Sequence, residues 1–106
     1  MAAQRSFIEV SCAVLLNDAA LSQIAQADFG RWVKLLIHVG TQGEQGSLEL
    51  TAPCACLCGA LQVPGFAGLL AALARLPYVE VIPLTNETVR VTFTEWARFV
   101  RTDANG

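Results

Sequence analysis

Pro64-Gly-Phe-Ala-Gly-Leu-Leu-Ala-Ala-Leu-Ala-Arg-Leu-Pro77 reads as a helix held between two prolines, one placed to start it and one to stop it. Phe66, Leu69, Leu70, Leu73 and Leu76 recur at helical spacing and predict a stripe that faces a core. The other side is Gly68, Ala71, Ala72 and Arg75, a face of small residues with one charge. Side chains that read base edges or neutralise phosphates are almost missing from it.

The neighbouring segments place this helix in an order. Upstream, Ser47–Leu50 is a short strand. Cys54, Leu57, Cys58 and Leu61 then form the apolar face of a helix opened at Thr51 or Ala52, with Pro53 in its first turn. Downstream, Tyr78–Pro83 and Thr88–Phe93 are strands joined by Leu84-Thr85-Asn86-Glu87, with Val89, Val91 and Phe93 inward and Thr88, Arg90 and Thr92 outward. Strand, helix, turn, helix and hairpin over Gly46–Phe93 outline a winged helix-turn-helix. The expected class is therefore α+β, mainly α, with an added N-terminal strand and helix segment.

Toward the N-terminus, Phe29, Trp32, Val33, Leu36 and Val39 share one face of a helical run from Ala19 to Val39, broken near Asp28 and Gly30. Arg31, Lys34 and His38 line its other side, and Gly40–Gly46 is the loop that ends it. Ser6–Leu16 alternates, with Ile8, Val10, Cys12, Val14 and Leu16 on one face, as a half-buried strand does. Asn17-Asp18 ends that strand, as a turn or as the cap of the next helix. At the other end Thr94 caps a last short helix that buries Trp96, Phe99 and Val100 and leaves Arg98 and Arg101 in solvent. One domain is expected over 1–106, its core at 17–100, with loose ends at 1–5 and 102–106.

Composition restricts the function classes. Charged residues make up 15% and hydrophobic ones 54% of the 106 residues, against about 25% charged in an average soluble domain. That apolar excess predicts a homo-oligomer or another partner surface. A net charge of −2 argues against strong sequence-independent nucleic-acid binding. No apolar run has the length of a membrane span, and Glu9 sits where a signal peptide would carry positive charge. A cytoplasmic location is expected, in which Cys12, Cys54, Cys56 and Cys58 stay reduced.

Catalytic and metal-binding patterns are weak. On a helix Cys54 and Cys58 share a face while Cys56 points away, so the three thiols do not converge on one metal; small core fillers are the better expectation. His38 has Arg31 and Lys34 beside it instead of an orienting carboxylate, and the acids are scattered singly. No enzyme, cofactor, metal or small-molecule substrate is expected. The candidate nucleic-acid contacts are Arg31, Lys34, Arg75, Arg90, Arg98 and Arg101, which elsewhere are commonly no more than a solvated face. Glu87 at the hairpin tip would repel phosphates. The candidate subunit contacts are Ile8, Val10 and Val14 on the N-terminal strand, an edge open to pairing, and Gly68, Ala71 and Ala72 on the smooth helix face.

Trp32-Val-Lys-Leu-Leu, the strand after Gly46, the helix-turn-helix and the closing strand followed by Trp96 together resemble the N-terminal winged-helix domain of phage replisome organisers and DnaD-like primosomal proteins. The similarity spans about residues 17–100 and rests on pattern, without a diagnostic motif. It implies a non-catalytic module of a DNA-replication-initiation or phage-type protein, acting in oligomerisation with at most weak DNA binding. A bare central helix and an acidic hairpin tip depart from a DNA-reading version. A small dimeric transcription regulator and a protein–protein adaptor without DNA contact are the alternatives.

Overall fold

The computed structural model describes residues 8–101; the loose ends expected at 1–5 and 102–106, and the start of the predicted strand at Ser6 and Phe7, lie outside the described residues. The chain runs through β1 (Glu9–Val10), α1 (Cys12–Asn17), α2 (Ala19–Gln23), α3 (Gln26–Gln42) and β2 (Ser47–Thr51). It continues through α4 (Ala55–Leu61), α5 (Phe66–Ala74), β3 (Val79–Pro83), β4 (Thr88–Phe93), α6 (Trp96–Phe99) and β5 (Val100–Arg101). This is an α+β fold in which β2, β4 and β3 form an antiparallel sheet in that order and β1 pairs with β5 in a separate two-stranded ladder.

The sheet divides its residues by alternation, as a pleated strand must. Leu50, Val89, Val91 and Phe93 are buried on the inner face, while Glu49, Arg90 and Ile82 form an exposed row across the outer one. Against the inner face lies Trp32 of α3, fully buried and edge-on to Phe93 at 5.4 Å and Phe99 at 5.1 Å between centroids. Leu35, Leu36, Val39, Leu57, Leu61, Leu69 and Leu73 complete the centre of the core. Their helical spacing is why α3, α4 and α5 each turn one side inward.

Several boundaries differ from expectation. The predicted strand Ser6–Leu16 is two residues of β1 and then the helix α1. Six apolar-rich residues satisfy the period of a strand and of a helix about equally well. What decides is the partner: β5 begins at Val100, where α6 ends, so beyond Val10 the chain has no strand to pair with, and the Ser11 amide donates to the Phe99 carbonyl at 2.8 Å. Asp18 does cap the next helix, its Oδ1 accepting from the Leu21 amide at 2.9 Å. The break expected near Asp28 and Gly30 falls instead at Ile24 and Ala25, both extended, and α3 runs unbroken through Gly30.

The loop expected from Gly40 also begins later. Gly40 is inside α3 and buried, with Ile8 packed so close that an added Cβ would lie 2.7 Å from its side chain. Gly46 has φ +82°, and a Cβ on it would meet Trp96 at 2.6 Å, so this glycine both turns the chain and seats an indole. Pro53 lies ahead of α4, not in its first turn. The Ala52–Pro53 bond is cis and Cys54 takes a left-handed conformation at φ 51° before the helix starts at Ala55. Trp96, expected buried, is half-buried, while Phe99 and Val100 are buried.

Candidate interaction surfaces

The six basic residues proposed for nucleic acid do not form one patch. Three of them meet around α4. Arg31 donates from Nε to the Leu61 carbonyl at 2.9 Å and pairs with Asp28 at 3.0 Å, and Lys34 donates to the Ala60 carbonyl at 3.1 Å. These are carbonyls at the end of a helix, which lack intrahelical partners and carry its negative pole. The two cations of α3 therefore hold the end of α4. Arg75 reaches the same Asp28 at 3.5 Å. The cleft beside them, lined by Ala27, Gly30, Arg31, Lys34 and Gln62, encloses about 180 Å³, below the range of roughly 300–1,000 Å³ usual for small-molecule sites.

The other three lie elsewhere and are paired. Arg90 meets Glu49 across the sheet at 3.3 Å, and Arg101 meets Glu9 across the β1–β5 ladder at 3.7 Å. Such exposed pairs add little stability, yet each offsets a charge that phosphate binding would need.

Arg98 departs most from the sequence expectation. It does not stand free in solvent but pairs with the buried carboxylate of Asp18 and with Glu95, and its guanidinium lies over the rings of Tyr78 and Phe99, 5.5 and 5.0 Å from their centroids. The Tyr78 hydroxyl donates to Asp18 Oδ2 at 2.9 Å. Burial by itself would raise the Asp18 pKa; the Leu21 amide, the Tyr78 hydroxyl and Arg98 outweigh it and hold it below the ordinary value. This cluster ties the start of α2 to the turn after α5 and to α6. The Leu21 amide, the Tyr78 hydroxyl and one arm of Arg98 all converge on Asp18, so the cluster acts as a structural clasp. Of its members, only the capping role of Asp18 is visible in local sequence; Tyr78 and Arg98 are 60 and 80 residues away.

The two surfaces expected to join subunits are largely occupied within the chain. Ile8, Val10 and Val14 are half-buried and pack against the core, and β1 has β5 as its partner. On α5, Ala72 is buried and Gly68 seats Pro64, whose ring would lie 2.7 Å from an added Cβ. Ala71 alone of that trio is exposed. The apolar side of α5 is wider than a single stripe, which is why its small face turned partly inward.

The open surfaces are others. Leu16 at the end of α1 is 78% exposed, and Ile82 and Leu84 at the β3–β4 hairpin are 39% and 41% exposed. The two long edges of the sheet also differ. On β2, Ser47 exchanges backbone hydrogen bonds with Glu44, which closes that end of the edge. On β3, Tyr78 accepts from the Thr94 amide and the Leu84 amide donates to Thr88, so the even-numbered residues bond to β4. In an antiparallel ladder the intervening residues, Val79, Val81 and Pro83, then turn their peptide groups away from the sheet. Periodicity alone did not single out this edge.

The cysteines are dispersed. Cys12 and Cys56 are exposed, Cys58 is buried, and burial followed by the neighbouring thiols of Cys58 and Cys56 pushes the Cys54 thiol up. Among the described residues no three His, Cys, Asp or Glu side chains converge as metal ligands do. Among them too, no single helix is long and apolar enough to cross a membrane; α4 and α5 reach that length only together, across a 52° bend. No family model, curated protein or solved structure matches the chain.

Proposed function

We propose that the chain is a non-catalytic winged-helix module that self-associates, of the kind that assembles replication-initiation or phage-type DNA-associated proteins in the cytoplasm. The observation that carries this is the order α3–β2–α4–α5–β3–β4 with β4 between β2 and β3. That order puts a helix-turn-helix ahead of a hairpin, as a winged helix requires. Fold and function are separate questions, and the second rests on the surface. Each described arginine is ion-paired, α5 itself carries no charge and is followed by Arg75 at its C-cap, and Glu87 sits in the hairpin loop. These favour protein contact over groove reading, with any DNA binding weak and sensitive to salt.

Size-exclusion chromatography with light scattering, with and without a short DNA duplex at low and moderate salt, tests this. A mass above the monomer at tens of micromolar is expected, together with DNA binding that is lost at moderate salt. A monomer refutes self-association. Nanomolar binding at physiological salt would favour a dimeric transcription regulator instead.

A further inference from the structure

We propose that two copies of the chain join through the outer edge of β3, antiparallel about Val81, making one continuous sheet ordered β2-β4-β3-β3-β4-β2. This rests on the self-association proposed above and names its surface. The outward peptide groups of Val79, Val81 and Pro83 have no backbone partner outside β3 and β4 among the described residues. An edge of this sort is satisfied by another strand. A second copy suits it because a twofold axis makes one patch bind itself.

Chemistry along the edge selects the register. Since the odd-numbered residues point outward, they must form the hydrogen-bonded pairs with the other copy. Three alignments meet that condition and overlap the two strands by at least three residues. One sets Glu80 directly opposite the other copy's Glu80, and facing like charges repel. Another sets Ile82 opposite Ile82 and leaves Val79 beyond the end of the partner's β3 (Val79–Pro83), with fewer ladder bonds. The third sets Val81 opposite Val81 and Val79 opposite Pro83. Both Val81 amides and both Val79 amides then find carbonyls, and the N–H that Pro83 lacks costs the ladder one bond at each end. Only the carbonyls of Val79 go without a protein donor, at the ends of the ladder.

The side chains agree with the third alignment. Glu80 and Ile82 become cross-strand neighbours in the close, non-hydrogen-bonded pair. Glu80 has no ion pair within the described residues, and the residue beside Ile82 on β4 is Arg90. The free carboxylate of one copy thus approaches the guanidinium of the other across Ile82, and Ile82, exposed in the single chain, is covered.

Substitutions at position 82 test this with opposite signs. Ile82→Glu faces Arg90 within its own chain, so the fold tolerates it, yet it faces Glu80 in the other copy. It should weaken association about tenfold, since two like-charge pairs form per dimer. Ile82→Lys faces that same Glu80 and should associate at least as tightly as the parent. Cysteine crosslinking, in a background with exposed Cys12 and Cys56 changed to Ser, fixes the register. Glu80→Cys mixed with Ile82→Cys should form a disulfide dimer, since a non-hydrogen-bonded pair sets Cα atoms about 4.5 Å apart. A crosslink from either variant alone overturns the stated register. Undiminished association of Ile82→Glu without any crosslink overturns the β3 surface while self-association stands. A parent chain that stays monomeric overturns both.

Discussion

The indole N–H of Trp32 donates to the carbonyl of Pro77 at 2.8 Å, joining the middle of α3 to the turn that leads from α5 into β3. The proline that stops the central helix is thereby fixed against the core's largest side chain. Buried indoles need such an acceptor, and a turn carbonyl needs a donor. One bond meets both needs and sets where the hairpin leaves the helices.

Replacing Trp32 by Ala is expected to cost about 3–5 kcal/mol, from the cavity and the lost packing on Phe93 and Phe99. Trp96→Ala should cost clearly less, because Trp96 is half-buried and lies over Gly46 and Gly40 near the surface. Urea unfolding of both variants checks the ranking; equal losses would mean that α6 is more central than its burial indicates.

Two glycine substitutions should move stability in opposite directions. Gly46→Ala meets a positive φ and the Trp96 ring together, and a loss of about 2–4 kcal/mol is expected. Gly59→Ala lies within α4 with nothing near its Cβ, and should gain up to about 1 kcal/mol. Thermal melts of the pair would expose a mistaken turn at Gly46 if both variants were neutral.

Arg31 and Lys34 should prove structural. Arg31→Ala removes the Leu61 carbonyl's donor and the Asp28 pair and should cost about 1.5–3 kcal/mol. Lys34→Ala, with its amine exposed, should cost under about 1 kcal/mol. Both are measurable by denaturant titration. Hydrogen exchange at the end of α4 should quicken in each, and unchanged protection there would contradict the capping role.

Acid should loosen the chain in two stages. Burial depresses the His38 pKa from 6.5, so neutral His38 favours the fold and that share is lost as pH falls from about there. The Asp18 carboxylate, also depressed in the fold, contributes fully above its ordinary 3.8. That contribution is lost as pH falls from there through the lower folded value. In Asp18→Asn the second stage should flatten while the first persists. Stability measured by denaturant from pH 7 to pH 2 decides it, and an unchanged second stage would remove Asp18 from the account.

Much of this fold was legible as local pattern. The helices around Trp32, Leu57 and Leu73 and the hairpin strands followed from periods of 3.6 and 2, because an element with one buried face must repeat its apolar residues at its own period. The inward set Val89, Val91 and Phe93 is the clearest instance. Cys12–Asn17 was not legible, since so short an apolar run suits either period and the start of β5 at Val100, directly after α6, decided it.

What the chain alone determined, then, were elements whose burial repeats along one stretch, together with the scarcity of charge. Tertiary structure decided everything that joins distant residues. It committed Arg98 to Asp18, Arg31 and Lys34 to the end of α4, and β1 to β5, and among the described residues it left the edge of β3 without a strand partner. A basic residue written in sequence looks equally free wherever it falls. Only the packed chain shows which carboxylate or helix end lies within reach, because those partners are brought close by the burial of other residues.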